Sequence, residues 1–315
     1  MKLVLSIFLI FSSVYLYASD TGPFALSSGI DSLLPVRGSF RQQEEDRKKY
    51  RFFNDLVGIS IKLKLYPLAM KYYFKAMQYK RGLPFTWYQI PGDSAINPDL
   101  VLTDADTLVA VAHSAGVIKS EPIAGPRIWE PFKDGKTASA YALIVHVKQP
   151  IPGKRRSFAH ISNVGHMFIT LIKYNDDNTV VSRSFGFYPN KTSFFAATPL
   201  HVRSASFFRD DTFHDWDESV GKFISYRRFQ KIIAILKKYD HLPYNLNRNN
   251  CTDFGLNVAN TGGICITDTR GTWPLGKGNN PANAGQSLLE GKFQNTDAYY
   301  YESLFVSSNV PAGKN

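Results

Sequence analysis

A short segment that opens with a cysteine constrains the fold of this chain more than any other stretch. Residues 249–263 read NNCTDFGLNVANTGG. Asn250 has a side chain that commonly caps a helix start, and Asp253 three residues later completes a capping box. The final glycine pair is typical of a helix end, so the segment predicts a helix that begins at Cys251. A thiol on the first helical residue faces the positive end of the helix dipole, which favours the thiolate and makes Cys251 a candidate nucleophile.

Two other interpretations of Cys251 stay open at this point. The residue can be a small buried side chain at a helix start. It can also form a disulfide with Cys265, the only other cysteine of the chain. The intervening loop is long enough for a bridge in an oxidising compartment.

The N-terminus has the pattern of a secretory signal peptide. Lys2 precedes the apolar run LVLSIFLIF, and small residues follow near Ala18. The apolar run is too short for a typical membrane span. We predict that residues 1–19 are a signal peptide and that the protein is exported, to the periplasm or to the outside of a bacterial cell.

The composition is ordinary for a globular protein, but the charge is strongly positive. The chain has 315 residues, of which 44% are apolar and 20% charged, and its formal net charge is +11. An exported basic protein is attracted to anionic envelope material, such as acidic glycans or lipid headgroups. A nucleic-acid partner is not expected, because no recognised binding motif accompanies the basic residues.

The N-terminal third predicts two helices. Pro67 suits the first turn of the second helix, so a helical hairpin is expected on either side of it. The apolar stripe expected on the first helix consists of Phe52, Phe53, Leu56, Ile59 and Leu63. The corresponding face of the second helix consists of Ala69, Tyr72, Tyr73, Ala76 and Met77.

The sequence pattern then changes to β-strands. Apolar residues alternate along residues 141–147, and strands over 164–173 and 179–188 are joined by the turn sequence NDDN. A further strand over 219–224 leads into an amphipathic helix capped by Ser225.

These elements predict an α+β protein with a helical N-terminal region. Residues 20–135 form that region together with irregular loops, and a boundary is expected near residue 135. The predicted β-rich domain covers residues 136–300, and residues 301–315 are expected to be a tail.

Among the seven histidines, His166 is the best placed to assist a thiol. A thiolate enzyme needs a base beside the sulfur, an orienting group behind the base and donors for an oxyanion. His166 stands at the start of a predicted strand in the same domain as Cys251. His146 and His160 flank the same predicted sheet and remain alternatives.

A Gly-His pair and an Asn-Cys helix start follow each other in an informative order. The pair at residues 165–166 opens a strand, and the sequence Asn-Cys-x-x-Phe at 250–254 later opens a helix. This pattern resembles the circularly permuted papain-like hydrolases, permuted relatives of the NlpC/P60 peptidases that include the lecithin:retinol acyltransferase-like group. Segments similar to an uncharacterised bacterial branch lie at 242–246, 271–274 and 280–281. The resemblance covers roughly residues 137–290 and implies an antiparallel sheet packed on the helix that carries the cysteine.

Carried over to this sequence, the resemblance implies a role for four residues. Cys251 would be the nucleophile and His166 the general base and acid. The family's third polar residue lies on the strand after the histidine strand, where residues 183–187 offer only Ser184. The backbone N–H of Cys251 would bind the oxyanion, with Tyr244 as a second donor.

Two acidic positions have simpler interpretations. Asp253 is expected to be a helix-start carboxylate, because acids there interact favourably with the helix dipole. The pair Asp210 and Asp211, with His214 close by in sequence, is typical of a solvated turn. No His/Cys pair has the spacing of metal ligands, so neither a metal nor another cofactor is expected.

The sequence therefore predicts an exported thiol hydrolase that cleaves an amide or peptide bond through an acyl-enzyme. A peptide or glycopeptide of the cell envelope is the leading substrate class. The first alternative is a lipid acyltransferase or esterase of the same fold. The second is a non-catalytic envelope-binding module tied by a disulfide between Cys251 and Cys265.

Overall fold

The computed structural model describes most of the chain after the predicted signal peptide. The described ranges are 34–81, 120–156, 164–190, 197–273, 275–297 and 304–310. The predicted signal peptide and His160 lie outside them. By its internal contacts the chain divides into two compact units, Met1–Gln42 and Gln43–Asn315. The first is described from Leu34, where a helix begins, and the second contains all the features discussed below.

The described residues form six α-helices. They are α1 (Leu34–Lys62), α2 (Tyr66–Arg81), α3 (Gly125–Trp129), α4 (Tyr226–Tyr239), α5 (Cys251–Gly262) and α6 (Pro281–Leu289). The same residues form β1 (Pro122–Ile123), β2 (Ala138–Lys148), β3 (His166–Asn175), β4 (Val180–Pro189), β5 (Arg203–Ser204), β6 (Ser206–Asp210), β7 (Glu218–Ile224), β8 (Tyr244–Asn245), β9 (Ile264–Ile266), β10 (Arg270–Trp273), β11 (Gly276–Asn279), β12 (Phe293–Asn295) and β13 (Phe305–Ser308). The predicted α+β class is confirmed.

One seven-stranded sheet organises the fold. Its strand order is β1-β6-β4-β3-β2-β7-β13, and every neighbouring pair is antiparallel. The predicted hairpin between β3 and β4 is confirmed, with Asn178 in its turn at a φ of 65°. The stretch from residue 301, expected to be a tail, contributes the edge strand β13. Three short two-stranded pairs, β10-β11, β12-β9 and β5-β8, lie outside this sheet.

Alternation along the strands gives the sheet two buried faces. One face packs against α3, α4, α5 and α6, and its side chains from the central strands are Leu143, Val145, Val147, Met167, Ile169, Leu171, Phe185 and Phe187. The opposite face packs against the helical hairpin, and its side chains include Ala142, Ile144, Phe168, Ile172 and Phe223. The predicted alternation of residues 141–147 is therefore confirmed. The change from helical to β-rich sequence near residue 135 falls inside the unit Gln43–Asn315.

The predicted stripe on α1 is wrong in its orientation. Phe52, Ile59 and Leu63 are exposed, whereas Val57 and Ile61 are buried. The helix carries two overlapping apolar faces, and the face used is the one that meets α2 and the sheet. On α2 the prediction is better, because Ala69, Tyr73, Ala76 and Met77 are all buried.

The helix after β7 begins as predicted. The Ser225 side chain caps α4 by accepting a hydrogen bond from the backbone N–H of Arg228. Its apolar face, which includes Phe229, Ile232 and Leu236, is buried in the same core as α5. In the described part of the chain, no helix combines the length and the apolar character needed to cross a membrane.

Candidate active site

The helix that begins at Cys251 is held by a complete capping box. The Asn250 side chain accepts hydrogen bonds from the backbone N–H groups of Thr252 and Asp253, at 2.8 and 3.0 Å. In return, the Asp253 carboxylate accepts from the backbone N–H of Asn250 at 3.0 Å. Asp253 is thus the helix-start carboxylate that the sequence predicts. These bonds fix Cys251, which is 6% exposed, as the first residue of α5.

A disulfide between Cys251 and Cys265 is excluded by the position of the helix. Cys251 begins α5 and Cys265 lies on β9, beyond the other end of the helix. A helix of 12 residues is about 18 Å long, far beyond the roughly 7 Å that a bridge tolerates between α-carbons. Both cysteines are free, so the predicted disulfide between them is wrong.

His166 begins β3 and is brought to the start of α5 by the residue before it. Gly165 has a φ of 74°, and a Cβ on it would lie 2.5 Å from the backbone oxygen of Lys148. Only glycine fits this close approach, which explains the Gly-His pair. His166 is 6% exposed, and its ring packs against Tyr188 with 4.2 Å between ring centroids.

The group that holds the imidazole is Asp211, which the sequence analysis assigned to a solvated turn. That interpretation is wrong, because Asp211 is fully buried and its Oδ2 lies 3.0 Å from Nε2 of His166. Its Oδ1 accepts hydrogen bonds from the hydroxyls of Tyr188 and Ser120, at 2.8 and 2.9 Å. Both oxygens of the carboxylate are therefore partnered, and Nδ1 is the ring nitrogen of His166 that remains for its hydrogen bond with the thiol.

Asp211 reaches His166 across one intervening strand. It follows β6, which pairs with β4, and β4 pairs with β3. On β4, Gly186 makes room for the contact, since a Cβ there would lie 2.2 Å from Nε2 of His166 and 2.5 Å from Oδ2 of Asp211. A glycine inside an otherwise apolar strand often marks such a close approach. Gly186, between two phenylalanines in the sequence, therefore indicates that side chains from either side of β4 approach each other closely at this position.

The charges of the site favour a thiolate–imidazolium pair. Burial alone lowers the pKa of His166, but the negative charge of Asp211 and the neighbouring thiol raise it to about 9. Burial alone raises the pKa of Cys251, but the imidazole of His166 and the backbone N–H of Met167 outweigh it and lower the pKa. The pKa of Asp211 is also lowered, because the attraction of His166 outweighs its burial. These shifts favour a proton on the imidazole and a thiolate on the sulfur over the neutral pair.

Ser184 does not take the third position predicted for it. Its hydroxyl lies 2.7 Å from that of Thr170, which lies 2.9 Å from Nε2 of His146. The Nδ1 of His146 in turn lies 2.8 Å from the Ser219 hydroxyl. Ser184 and His146 thus belong to a buried polar chain on the face that packs against the helical hairpin. The predicted register of residues 183–187 beside β3 is correct, but the orienting group comes from the next strand along.

Tyr244, predicted as a second oxyanion donor, lies beside Cys251 in the structure. Burial and the charge of Cys251 raise the pKa of its hydroxyl well above the usual value, and a hydrogen bond with the Cys251 backbone opposes this only in part. The hydroxyl is therefore un-ionised at neutral pH. Its role as a second oxyanion donor stays a prediction.

A narrow cleft opens onto Cys251. Its described lining consists of Val164, Gly165, Tyr244, Leu246, Asn250, Cys251, Trp273, Asn279, Asn280 and Pro281. This lining contains no acidic side chain and no lysine, arginine or histidine. The cavity volume is about 30 Å³. The cleft therefore fits a thin, neutral part of a substrate.

Metal ligation is not a feature of the described site. Within the described ranges, no group of three or more histidine, cysteine, aspartate or glutamate side chains is arranged to hold a metal ion. His214 lies beside His166, with 5.2 Å between ring centroids. Burial and the neighbouring His166 lower the pKa of His214, so it is the neutral member of the pair.

Comparison of the chain with family models, with curated proteins and with solved structures found no match in any of the three.

Proposed function

We propose that this protein is a cysteine hydrolase that acts through an acyl-enzyme on Cys251. The observation that carries the proposal is the buried arrangement in which Asp211 holds His166 and His166 ionises the thiol at a helix start. Perturbed groups of this kind cluster at functional sites. The order of a histidine-opened strand before a cysteine-opened helix supports a permuted papain-like fold.

The acylation step uses the charges already present in the site. The Cys251 thiolate attacks the carbonyl carbon of the substrate, a sulfur–carbon bond forms and the carbonyl oxygen becomes an oxyanion. His166 then gives its proton to the leaving nitrogen as the carbon–nitrogen bond breaks, and a thioester remains. Asp211 acts as a positioning residue, since it fixes the ring and stabilises its positive charge.

The deacylation step reverses the role of the imidazole. Neutral His166 takes a proton from a water molecule, whose oxygen attacks the thioester carbon. The sulfur–carbon bond breaks, the acid product leaves and the thiolate–imidazolium pair is restored. If an alcohol or amine replaces water, the same step becomes acyl transfer.

An amide or peptide bond of the cell envelope is the proposed substrate, carried by a peptide or glycopeptide in the periplasm or outside the cell. The expected attraction to anionic surfaces would bring the basic protein to such material. A lipid ester is the second candidate. The observation in its favour is the uncharged cleft with apolar walls at Val164, Leu246 and Pro281, which suits an acyl chain.

Thiol labelling across pH tests the proposal. Iodoacetamide should alkylate Cys251 at rates that persist well below the pH at which an ordinary thiol ionises, because its pKa is lowered. Cys265, a half-buried thiol beyond the other end of α5, provides an internal reference in the same mass-spectrometric digest. The His166→Ala variant should lose the reactivity at low pH.

Substrate assays complete the test. Incubation with purified muropeptides and with a phospholipid panel separates the two substrate classes, and Cys251→Ser should abolish turnover of whichever is cleaved. Equal activity in Cys251→Ser and wild type would refute the proposal, as would a Cys251 alkylation profile that matches Cys265 and ignores His166.

A further inference from the structure

The cleft at Cys251 contains several amide side chains, and all but one are engaged by the protein itself. Asn250 donates to the backbone oxygens of Leu246 and Asn279, at 2.8 and 2.9 Å. Asn279 donates to the Asp253 carboxylate at 2.7 Å and accepts from the Thr269 hydroxyl at the same distance. A hydrogen bond from either amide to a substrate would therefore require the loss of one of the bonds that hold the start of α5.

Asn280 is the exception. Its Oδ1 caps α6 by accepting from the backbone N–H of Asn283 at 2.9 Å. Its Nδ2 has no hydrogen-bond partner among the described residues, although the side chain is only 6% exposed. A buried donor without a partner is costly and uncommon in folded proteins, and it is found where a ligand or substrate completes it.

Asn280 lies close enough to the thiol for its unpartnered N–H group to take part in a reaction there. It lines the narrow cleft together with Cys251, and α5 and α6 both begin at that cleft. Two helix starts, whose ends carry partial positive charge, therefore lie at the cleft that contains the thiol. Asn280 and Cys251 line the same narrow cleft, so a carbonyl bound at the thiol would lie in the cleft that the amide also lines.

We propose that Nδ2 of Asn280 donates a hydrogen bond to the oxyanion formed when Cys251 attacks a carbonyl. Asn280 is then a catalytic residue, and its cap to Asn283 holds the amide in place before substrate arrives. This inference rests on the proposed function, because it concerns the tetrahedral intermediate of that reaction.

Two small reagents separate this role from the ionisation of the thiol. p-Nitrophenyl acetate acylates a thiolate through a tetrahedral oxyanion, and p-nitrophenolate leaves as the carbon–oxygen bond breaks. Iodoacetamide alkylates the same sulfur by direct displacement of iodide, with no oxyanion at any stage. The ratio of the acylation rate to the alkylation rate therefore reports on oxyanion stabilisation alone.

The test substitutes Asn280 and measures both rates in the full chain. Asn280→Ser keeps a residue that caps helices well but removes the amide. The loss of one oxyanion donor typically costs roughly 10²- to 10³-fold in rate, so the ratio should fall by about that factor, with alkylation within about twofold of wild type. Asn280→Asp keeps the capping oxygen most closely and is the second variant, and its ratio should fall at least as far.

Asn283→Ser is the matched control. Asn283 lies three residues further along α6, hydrogen-bonds the backbone oxygen of Arg270 and does not line the cleft. This substitution removes a buried amide from the same helix and should leave the ratio unchanged. An unchanged ratio in both Asn280 variants, or an equal fall in Asn283→Ser, would overturn the inference while the proposed function stands. A wild-type protein that forms no acyl-enzyme with p-nitrophenyl acetate would overturn both.

Discussion

Two buried histidines on neighbouring strands of one sheet have opposite protonation states. His166 on β3 and His146 on β2 are 6% and 0% exposed. His166 faces the carboxylate of Asp211, and its pKa is raised to about 9 in spite of burial. His146 faces the hydroxyls of Ser219 and Thr170, and burial, followed by the repulsion of His214, lowers its pKa well below the usual value.

The difference shows that the chemistry of the partner decides the charge of a buried histidine. A hydroxyl can satisfy a ring nitrogen but cannot compensate a buried positive charge, whereas a carboxylate can. His146 is also enclosed by the rings of Tyr66 and Phe168, each 4.6 Å away between centroids. It is thus a neutral structural residue, and only His166 is prepared to ionise a thiol.

Removal of the carboxylate should have the largest effect. In Asp211→Asn, the hydroxyls of Tyr188 and Ser120 keep the amide oxygen as their acceptor, so Nδ2 must donate to Nε2 of His166. The ring then carries its proton on Nδ1, facing Cys251, and cannot accept the thiol proton. We expect acylation by p-nitrophenyl acetate at pH 7 to fall roughly 10²- to 10⁴-fold, as stopped-flow kinetics would measure.

Asp210→Asn provides the control for that experiment. Asp210 is the preceding residue, and its side chain accepts a hydrogen bond from the backbone N–H of Thr212 at 2.9 Å, which an amide oxygen can also do. Its acylation rate should stay within about threefold of wild type. Similar losses of acylation rate in the two variants would show that Asp211 is not the group that determines the charge of His166.

The replacement of His146 should alter stability and leave the thiol unaffected. In His146→Phe, the hydroxyls of Ser219 and Thr170 lose a buried partner, which costs about 1–3 kcal/mol of the free energy of unfolding. Urea titration measures that loss, and the pH profile of Cys251 alkylation should match wild type. A fall in alkylation like that of His166→Ala would show that His146 takes part in the site.

The two histidines should give opposite pH dependences of stability. His166 has a raised pKa in the folded state, so its contribution is complete below pH 6.5 and is lost as the pH rises through about 9. His146 has a lowered pKa, so its contribution is complete above pH 6.5 and is lost as the pH falls. The measurement needs the Cys251→Ala background. In wild type the thiol gives up a proton as His166 gains one, so the pair shows no net change in bound protons.

In that background only Asp211 raises the pKa of His166, so the free energy of unfolding should fall by about 1–2 kcal/mol as the pH rises above 6.5, and the fall should vanish in His166→Gln. The loss below pH 6.5 should shrink in His146→Phe. Denaturant titrations at a series of pH values give both differences. A fall above pH 6.5 that survives His166→Gln would contradict the assignment.

Glu218 extends the comparison to a carboxyl group and should give the smallest effect. It is 1% exposed on β7 and accepts a hydrogen bond from the Ser308 hydroxyl at 2.7 Å. Burial raises its pKa to about 7, so the folded protein loses stability as the pH rises from about 4.5 through 7. Glu218→Gln should therefore be about 1–2 kcal/mol more stable than wild type at pH 8 and no more stable at pH 4.

The exposed Glu121 offers a control for Glu218. Glu121→Gln removes a carboxylate that is not buried and should change the free energy of unfolding by less than about 0.5 kcal/mol at either pH. If the two variants respond alike, the gain in Glu218→Gln comes from net charge and not from burial beside a hydroxyl.

The parts of the site that local sequence determines were predictable. Asn250, Cys251 and Asp253 lie within one turn, so the capping box could be read directly. The start of β3 at His166 followed from strand alternation and from the glycine before it. The hairpin of β3 and β4 also fixed which residues lie beside β3.

Asp211 could not be predicted in the same way, because its position depends on strand order. It follows β6, a short strand with little alternation, and the sequence does not show that β6 pairs with β4. The residues next to Asp211 in the sequence also do not distinguish a buried carboxylate from an exposed one in a turn. The orientation of α1 was missed for a related reason, since its two apolar faces are equally plausible until α2 and the sheet are in place.

The four hydrogen bonds of the Asn250 side chain have a mechanical consequence. They fasten the start of α5 to the segment at Leu246 on one side and to the end of β11 at Asn279 on the other. These two walls therefore move with the nucleophile as one block. The wall at Val164, whose side chain is 37% exposed, has no such tie to Asn250. Val164 and Gly165 therefore form the part of the cleft wall that can shift without displacing the start of α5.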